Sequence, residues 1–129
     1  MRCYMAGTFS RRKALRPWRD KLWELGIHVT SSWLDEVKKM PWMTPAEFDT
    51  KLALKDLCEV AQADLVICET GELKSEGKSI EFGFALAHYQ EKMIWIVGKQ
   101  RSVFHQLADR TFETWEDCVA YLEKTHGSN

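Results

Sequence analysis

No stretch of this sequence is apolar enough to cross a bilayer. Its longest apolar runs, such as Met93–Val97, fall far short of the ~20 residues that a spanning helix needs. No charged-then-apolar leader precedes the first segment, so the expected location is the cytoplasm. A surplus of positive charge is missing too, since 18 Lys and Arg stand against 19 Asp and Glu for a formal charge of -1. Non-specific duplex binding requires a phosphate-neutralising surplus, which excludes duplex nucleic acid as a general partner. Four cysteines, Cys3, Cys58, Cys68 and Cys118, show no C-x-x-C spacing and no histidines at zinc intervals. That pattern excludes a cysteine-based metal site. Cys3 and Cys68 lie in apolar strand-like runs, as small buried hydrophobes do in a reducing compartment. Repeats, low-complexity tracts and linkers are absent, and 129 residues accommodate one domain. Residues 1–125 are expected to form it, with 126–129 as a tail.

What is present alternates. Residues 45% hydrophobic and 29% charged describe a globular chain, in short β-like runs separated by longer helical ones. Arg2–Ala6 reads as a first strand ended by Gly7. Leu15, Trp18, Leu22 and Leu25 share one helix face over residues 11–25, and Gly26 stands at the helix stop. Pro17 should kink or delay that helix, because it lacks a backbone donor. Residues 27–31 read as a second strand, and 32–44 as an ordered loop rich in Trp, Pro and Met. Thr44-Pro45 followed by Glu47 starts a helix running to about Gln62, which should bury Phe48, Leu52, Leu57 and Val60 or Ala61. Residues 64–69 form a third strand of the kind buried on both faces. The pattern continues with helix over 79–90, strand over 92–97, a short helix over 102–107 and an amphipathic helix over 114–124. Six tryptophans are many, and Trp18, Trp33 and Trp42 fall where they would line a cleft or a subunit contact.

Such alternation predicts right-handed βαβ units. The expected architecture is an α/β three-layer sandwich, flavodoxin-like or Rossmann-like, around a parallel five-stranded sheet. In a 2-1-3-4-5 order the ligand crevice lies beyond the carboxyl ends of the first and third strands. Two loops would frame it, residues 7–12 and 70–78, and the segment after Val97 would close one side. The first loop, Gly7-Thr8-Phe9-Ser10-Arg11-Arg12, offers a glycine, two hydroxyls, two guanidiniums and a helix amino terminus. Those are the parts of an anion site, although a solvated basic helix start has the same composition. It is no G-x-G-x-x-G fingerprint. The second loop enters a helix as Ser75-Glu76-Gly77-Lys78-Ser79-Ile80-Glu81-Phe82-Gly83-Phe84-Ala85. Glu81 is expected in the first turn, where the helix dipole would keep it ionised at neutral pH. The plainer reading is a Glu that merely complements that dipole. Gly83 costs a helix about 1 kcal/mol relative to Ala, so its presence points to something coming close to Glu81.

Three blocks in order carry a resemblance: Tyr4-Met5-Ala6-Gly7-Thr8; Lys55-Asp56-Leu57 before Ala63-Asp64; and Gly77 through Ala87. Together they resemble the nucleoside 2-deoxyribosyltransferase family over roughly residues 2 to 123. The most specific element is Gly-x-x-x-Glu-x-Gly-Tyr-Ala, matched from Gly77 to Ala85 with Phe84 in place of Tyr. The resemblance implies Glu81 as nucleophile, Tyr4 as the phenol that fixes it and Asp56 as a substrate contact. The family also includes nucleoside 5'-monophosphate N-glycosidases, which use the same carboxylate with water as acceptor. In those members hydroxyls and amides of the two loops hold the phosphate, and Thr8, Ser10, Ser75 and Gly77 stand at comparable places.

Gly7, Phe9, Arg11 and Lys78 complete the expected substrate contacts, and His105 is expected to serve a neighbouring subunit's site. Transferases often carry an acidic residue where this chain has Ser75, a departure that leans toward a phosphate-bearing substrate. The resemblance further implies a homodimer or a larger assembly, a small-molecule nucleoside or nucleotide, and no metal or cofactor. Tyr4 as a plain core aromatic and Asp56 as a solvated helix residue remain the alternatives. At the level of function the rival is a nucleotide sensor that keeps the pocket without chemistry. A receiver-like domain would need an acidic cluster after the first strand, which is lacking.

Overall fold

Five strands pair in parallel: β1 (Arg2–Ala6), β2 (His28–Val29), β3 (Leu65–Glu69), β4 (Met93–Val97) and β5 (Arg110–Phe112), in the order β2-β1-β3-β4-β5. The computed structural model describes residues 1–35, 38–71 and 74–127. β3 is the centre of the sheet and is buried at all five positions. Its register sets Tyr4 beside Val66 and Ala6 beside Cys68, with Ile96 on the other side of Cys68. Helices α1 (Arg12–Glu24) and α4 (Trp115–Leu122) pack together, as do α2 (Pro45–Gln62) and α3 (Glu76–Leu86). Alternation along β1 shows which pair covers which face. The Cys3 thiol senses Cys118 of α4, whereas the neighbouring Tyr4 reaches Glu81 of α3. The expected three-layer α/β sandwich and its strand order are what is observed.

Several boundaries differ from expectation, each for a local reason. β2 is two residues long because side chains replace its ladder: the Ser31 hydroxyl accepts the Met5 N–H at 2.5 Å. α3 begins at Glu76, three residues before the expected Ser79, because the Ser75 hydroxyl accepts the Lys78 N–H at 3.2 Å and caps it. It ends at Leu86 in a series of turns, short of the expected residue 90. β5 has no apolar alternation in Arg-Thr-Phe, and only pairing with β4 makes it a strand. α1 runs through Pro17, which lies on its exposed side. α2 starts where predicted, with a Thr44–Glu47 capping box of 2.9 and 3.1 Å.

The burial expected along α2 is only partly met, since Val60 alone is buried while Phe48, Leu52 and Leu57 are half-exposed. Its 18 residues span about 27 Å, against about 17 Å for a five-residue strand, so its first half overhangs the sheet. Trp33, expected to line a cleft or a subunit contact, is a core residue instead, as is Leu34 beside it. The Trp33 Nε1–H donates to the Met5 carbonyl at 2.8 Å. Trp42 is exposed, and Trp18 stacks on Trp115 with ring centres 6.3 Å apart. The last turn reaches Gly127, and residues 128–129 of the expected tail lie outside the described residues.

Candidate active site

Tyr4 is fully buried in β1, and its hydroxyl donates to Glu81 Oε2 at 2.5 Å. The earlier start of α3 moves Glu81 from the expected first turn to the second, and Glu76 takes the first-turn place. The dipole acts mainly within one turn, so it is not what governs this carboxyl. Burial governs it. Only 8% exposed, Glu81 is pushed up to about 7 by desolvation, against the Tyr4 hydrogen bond, which holds it down. The expectation of a carboxylate fully ionised at neutral pH is corrected accordingly. Burial and the neighbouring Glu81 keep the Tyr4 hydroxyl far above its ordinary range, so it serves as a neutral donor.

α2 brings two more carboxyls. Asp56 is half-buried and is pushed up to about 6, by burial first and by the Glu59 charge second, with Lys55 pulling the other way. Asp56 and Glu59 both raise Glu81, in that order after burial, and Glu59 raises Asp56 as well. Glu59 Oε1 accepts the Ser32 N–H at 3.2 Å and the Ser32 hydroxyl at 3.0 Å. Tyr4, Asp56 and Glu81 thus converge from β1, α2 and α3 as expected, and Glu59 joins them unannounced. Its one sequence signal was position, three residues after Asp56 and hence on the same helical face.

The first loop does less for a ligand than its composition promised. A side chain at Gly7 would meet Leu15 Cδ1 at 3.1 Å and Trp33 at 3.6 Å, so packing requires the glycine. The Thr8 carbonyl accepts the Arg11 N–H at 2.8 Å. Phe9 is exposed under the Arg12 guanidinium, 4.6 Å from its ring centre, and Ser10 is exposed beside it. Arg11, expected to face a substrate anion, instead forks onto Glu69 at 2.9 and 3.1 Å. Trp115 Nε1–H donates to the same carboxylate at 2.8 Å.

The amino end of α3 opens on a cavity of about 740 Å³ lined by Lys74, Ser75, Lys78, Ser79, Arg101 and His105. Ser75, Lys78 and His105 therefore share one space, and Gly77 beside them has no atom nearer than 4.0 Å to a built side chain. Lys78 is buried, and its ammonium donates to the Thr70 carbonyl. His105 Nδ1 accepts the Arg101 N–H at 2.9 Å while its ring meets Phe82 edge-on at 5.2 Å. Burial, and then Lys78, lower its tendency to protonate. Gly83 does not make room beside Glu81. It borders a smaller cavity of about 340 Å³ with Phe82, Phe104 and His105, and a side chain there would meet nothing within 4 Å. Glu72 of this loop lies outside the described residues. Among the described residues no group of acids, histidines or cysteines is placed to hold a metal, and no helix is long and apolar enough to cross a membrane.

No known family model matches the sequence, and neither does any curated protein. Solved structures do. A 2-deoxyribosyltransferase from the psychrotolerant bacterium Bacillus psychrosaccharolyticus superimposes with a TM-score of 0.78 at 21% identity, covering 97% of this chain and 95% of that one. A CMP N-glycosidase of Clostridium botulinum gives 0.60 at 19% identity, over 96% and 99% of the two chains. A conserved protein from Enterococcus faecalis gives 0.73 at 14% identity, over 97% and 98%. Along nearly its whole length this chain has the fold of a 2-deoxyribosyltransferase and of a CMP N-glycosidase.

Proposed function

We propose that the chain breaks, or breaks and remakes, the N-glycosidic bond of a 2'-deoxyribonucleoside or its 5'-monophosphate, as a member of the nucleoside 2-deoxyribosyltransferase family. The observation that carries this reading is the buried 2.5 Å Tyr4–Glu81 hydrogen bond with Asp56 close enough to perturb both groups. A glycosidic carbon leaving its base develops oxocarbenium character, and a carboxylate beneath the sugar captures it. In the first step a Glu81 oxygen bonds to C1' as the C1'–N bond breaks. Its electron pair leaves with the base, which takes the Asp56 proton. In the second step an acceptor base or water attacks C1', gives its proton to the Asp56 carboxylate and releases Glu81. Two inversions give retention. Tyr4 directs one Glu81 oxygen, leaving the other for the sugar.

The 5' position is assigned to the amino end of α3. Lys74 and Arg101 bring cations there, beside Lys78, whose ammonium also holds the Thr70 carbonyl, and against the carboxylate of Glu76; Ser75 and Ser79 bring hydroxyls. The commitment of Arg11 to Glu69 removes it from the first loop's share. The cations and hydroxyls at the end of α3 favour a 5'-monophosphate over the bare nucleoside. Glu81→Ala should abolish base release from every member of a panel of nucleosides and monophosphates, assayed with and without a free acceptor base. Undiminished release in that variant sinks the proposal. Tight nucleotide binding without release by the native protein marks a sensor instead.

A further inference from the structure

We infer that Glu59 is a positioning residue, whose carboxylate, clamped by Ser32 one helical turn from Asp56, keeps the leaving-group proton on Asp56. This rests on the reading above. Residues three apart on a helix are surface neighbours, with about 5–6 Å between their Cβ atoms. Both Ser32 donors address one Glu59 oxygen, at 3.2 and 3.0 Å, which holds the negative charge in place rather than letting it swing into solvent. The Thr30 hydroxyl ties the same residue's carbonyl to the end of β2 at 3.3 Å. The clamp therefore joins α2 to the segment after β2.

The other charges around the pair do not cancel this one. On α2, Lys55 opposes Glu59 at Asp56, and Asp56 nonetheless sits at about 6. From β1 comes Tyr4, a neutral phenol, and from α3 comes Glu81, a second acid. On the outer side Glu59 borders a groove with Arg19, Asp20, His28 and Asp35. Arg19, the cation there, pairs with Asp35 at 2.9 Å and Asp20 at 3.3 Å.

Glu81 cannot substitute for Glu59 throughout the cycle. When Glu81 bonds to the sugar it becomes a neutral ester and carries no charge that could act on Asp56. The Glu59 charge, added to the burial of Asp56, then still keeps Asp56 basic enough to take the proton of the incoming acceptor. A standing charge that never touches the substrate serves both half-reactions.

The test is a carboxyl-carbon NMR titration of Asp56 in the full chain, native and Glu59→Gln, beside the pH dependence of kcat/KM for base release. Glu59→Gln should lower the Asp56 midpoint by roughly 0.5 pH or more and carry the activity profile downward with it. Glu59→Asp, which restores the charge, should recover much of both. Where Glu59→Gln fails to fold, Ser32→Ala loosens the clamp and should shift the midpoint in the same direction by less. An Asp56 midpoint unmoved in a folded variant overturns the inference. Absence of base release from the native protein overturns the reading it rests on, while the titration still decides the role of Glu59.

Discussion

Glu81 is asked for two things that oppose each other. A nucleophile must be ionised, yet burial disfavours the charge and brings the group to about 7, from an ordinary 4.5. The unfolded chain therefore binds fewer protons than the native one between those values, so stability falls as pH rises from about 4.5 to 7 and stays low above. Glu81→Gln removes that penalty. Thermal melts should show it more stable than the native protein at pH 8, by about 3 kcal/mol, and no more stable near pH 4. Asp56 needs its proton while Glu81 must lose one, with midpoints of about 6 and 7. The kcat/KM profile should accordingly be a narrow bell peaking between them, its limbs belonging to the pair. Tyr4→Phe takes away the bond that lowers Glu81, and because that midpoint already lies above the one of Asp56, the alkaline limb should move to higher pH and the peak should fall. A limb that stays put disconnects Tyr4 from the nucleophile.

Tyr4, Asp56 and Glu81 were legible because short local blocks carry them. What Arg11 holds could not be read, because its partner is 58 residues away and sequence shows a guanidinium but not what occupies it.

At the scale of elements, the informative errors lie at helix ends. Ser75 was read as a phosphate hydroxyl, but it is first the cap that sets where α3 begins, and hence which turn holds Glu81. The two roles separate in one variant. Ser75→Asp retains a capping oxygen while placing a carboxylate at the mouth of the α3 cavity. It should melt close to the native temperature and lose its use of monophosphates, with the bare nucleoside much less affected. Equal loss on both substrates counts against the phosphate assignment. Gly83 poses the converse question, since nothing within 4 Å of a built side chain explains it. Gly83→Ala should stabilise α3 by up to about 1 kcal/mol in denaturant unfolding. A drop in activity with that gain would mean that a ligand or a second chain uses the space. The buried third strand and the Thr44-Pro45 helix start were readable because burial and capping leave local marks. β5 left none, because three residues paired at a sheet edge have no pattern of their own.

Across the whole molecule apolar side chains are left exposed in several places, and four of them belong to α3 and to the segment 103–107 that borders its cavities. Val103, Phe104 and Leu107 are 78%, 61% and 63% exposed, next to Ile80 at 61%. Such side chains are rarely left clustered in water. Sedimentation at micromolar concentration should give a dimer or larger, and Phe104→Glu should dissociate it. A native monomer of full activity is the contrary result.

At the carboxyl end of the central strand β3 stands Glu69, which Arg11 and Trp115 grip from residues 58 and 46 positions away. Only when the first loop, the third strand and the last helix have all arrived can this three-way latch form. Contacts of such long range close late in folding, so their loss falls on the rate of leaving the native state rather than on reaching it. Glu69→Gln should steepen decay in unfolding jumps while refolding from denaturant keeps nearly its native speed. The guanidinium that sequence offered to a substrate then sets how long the folded molecule lasts.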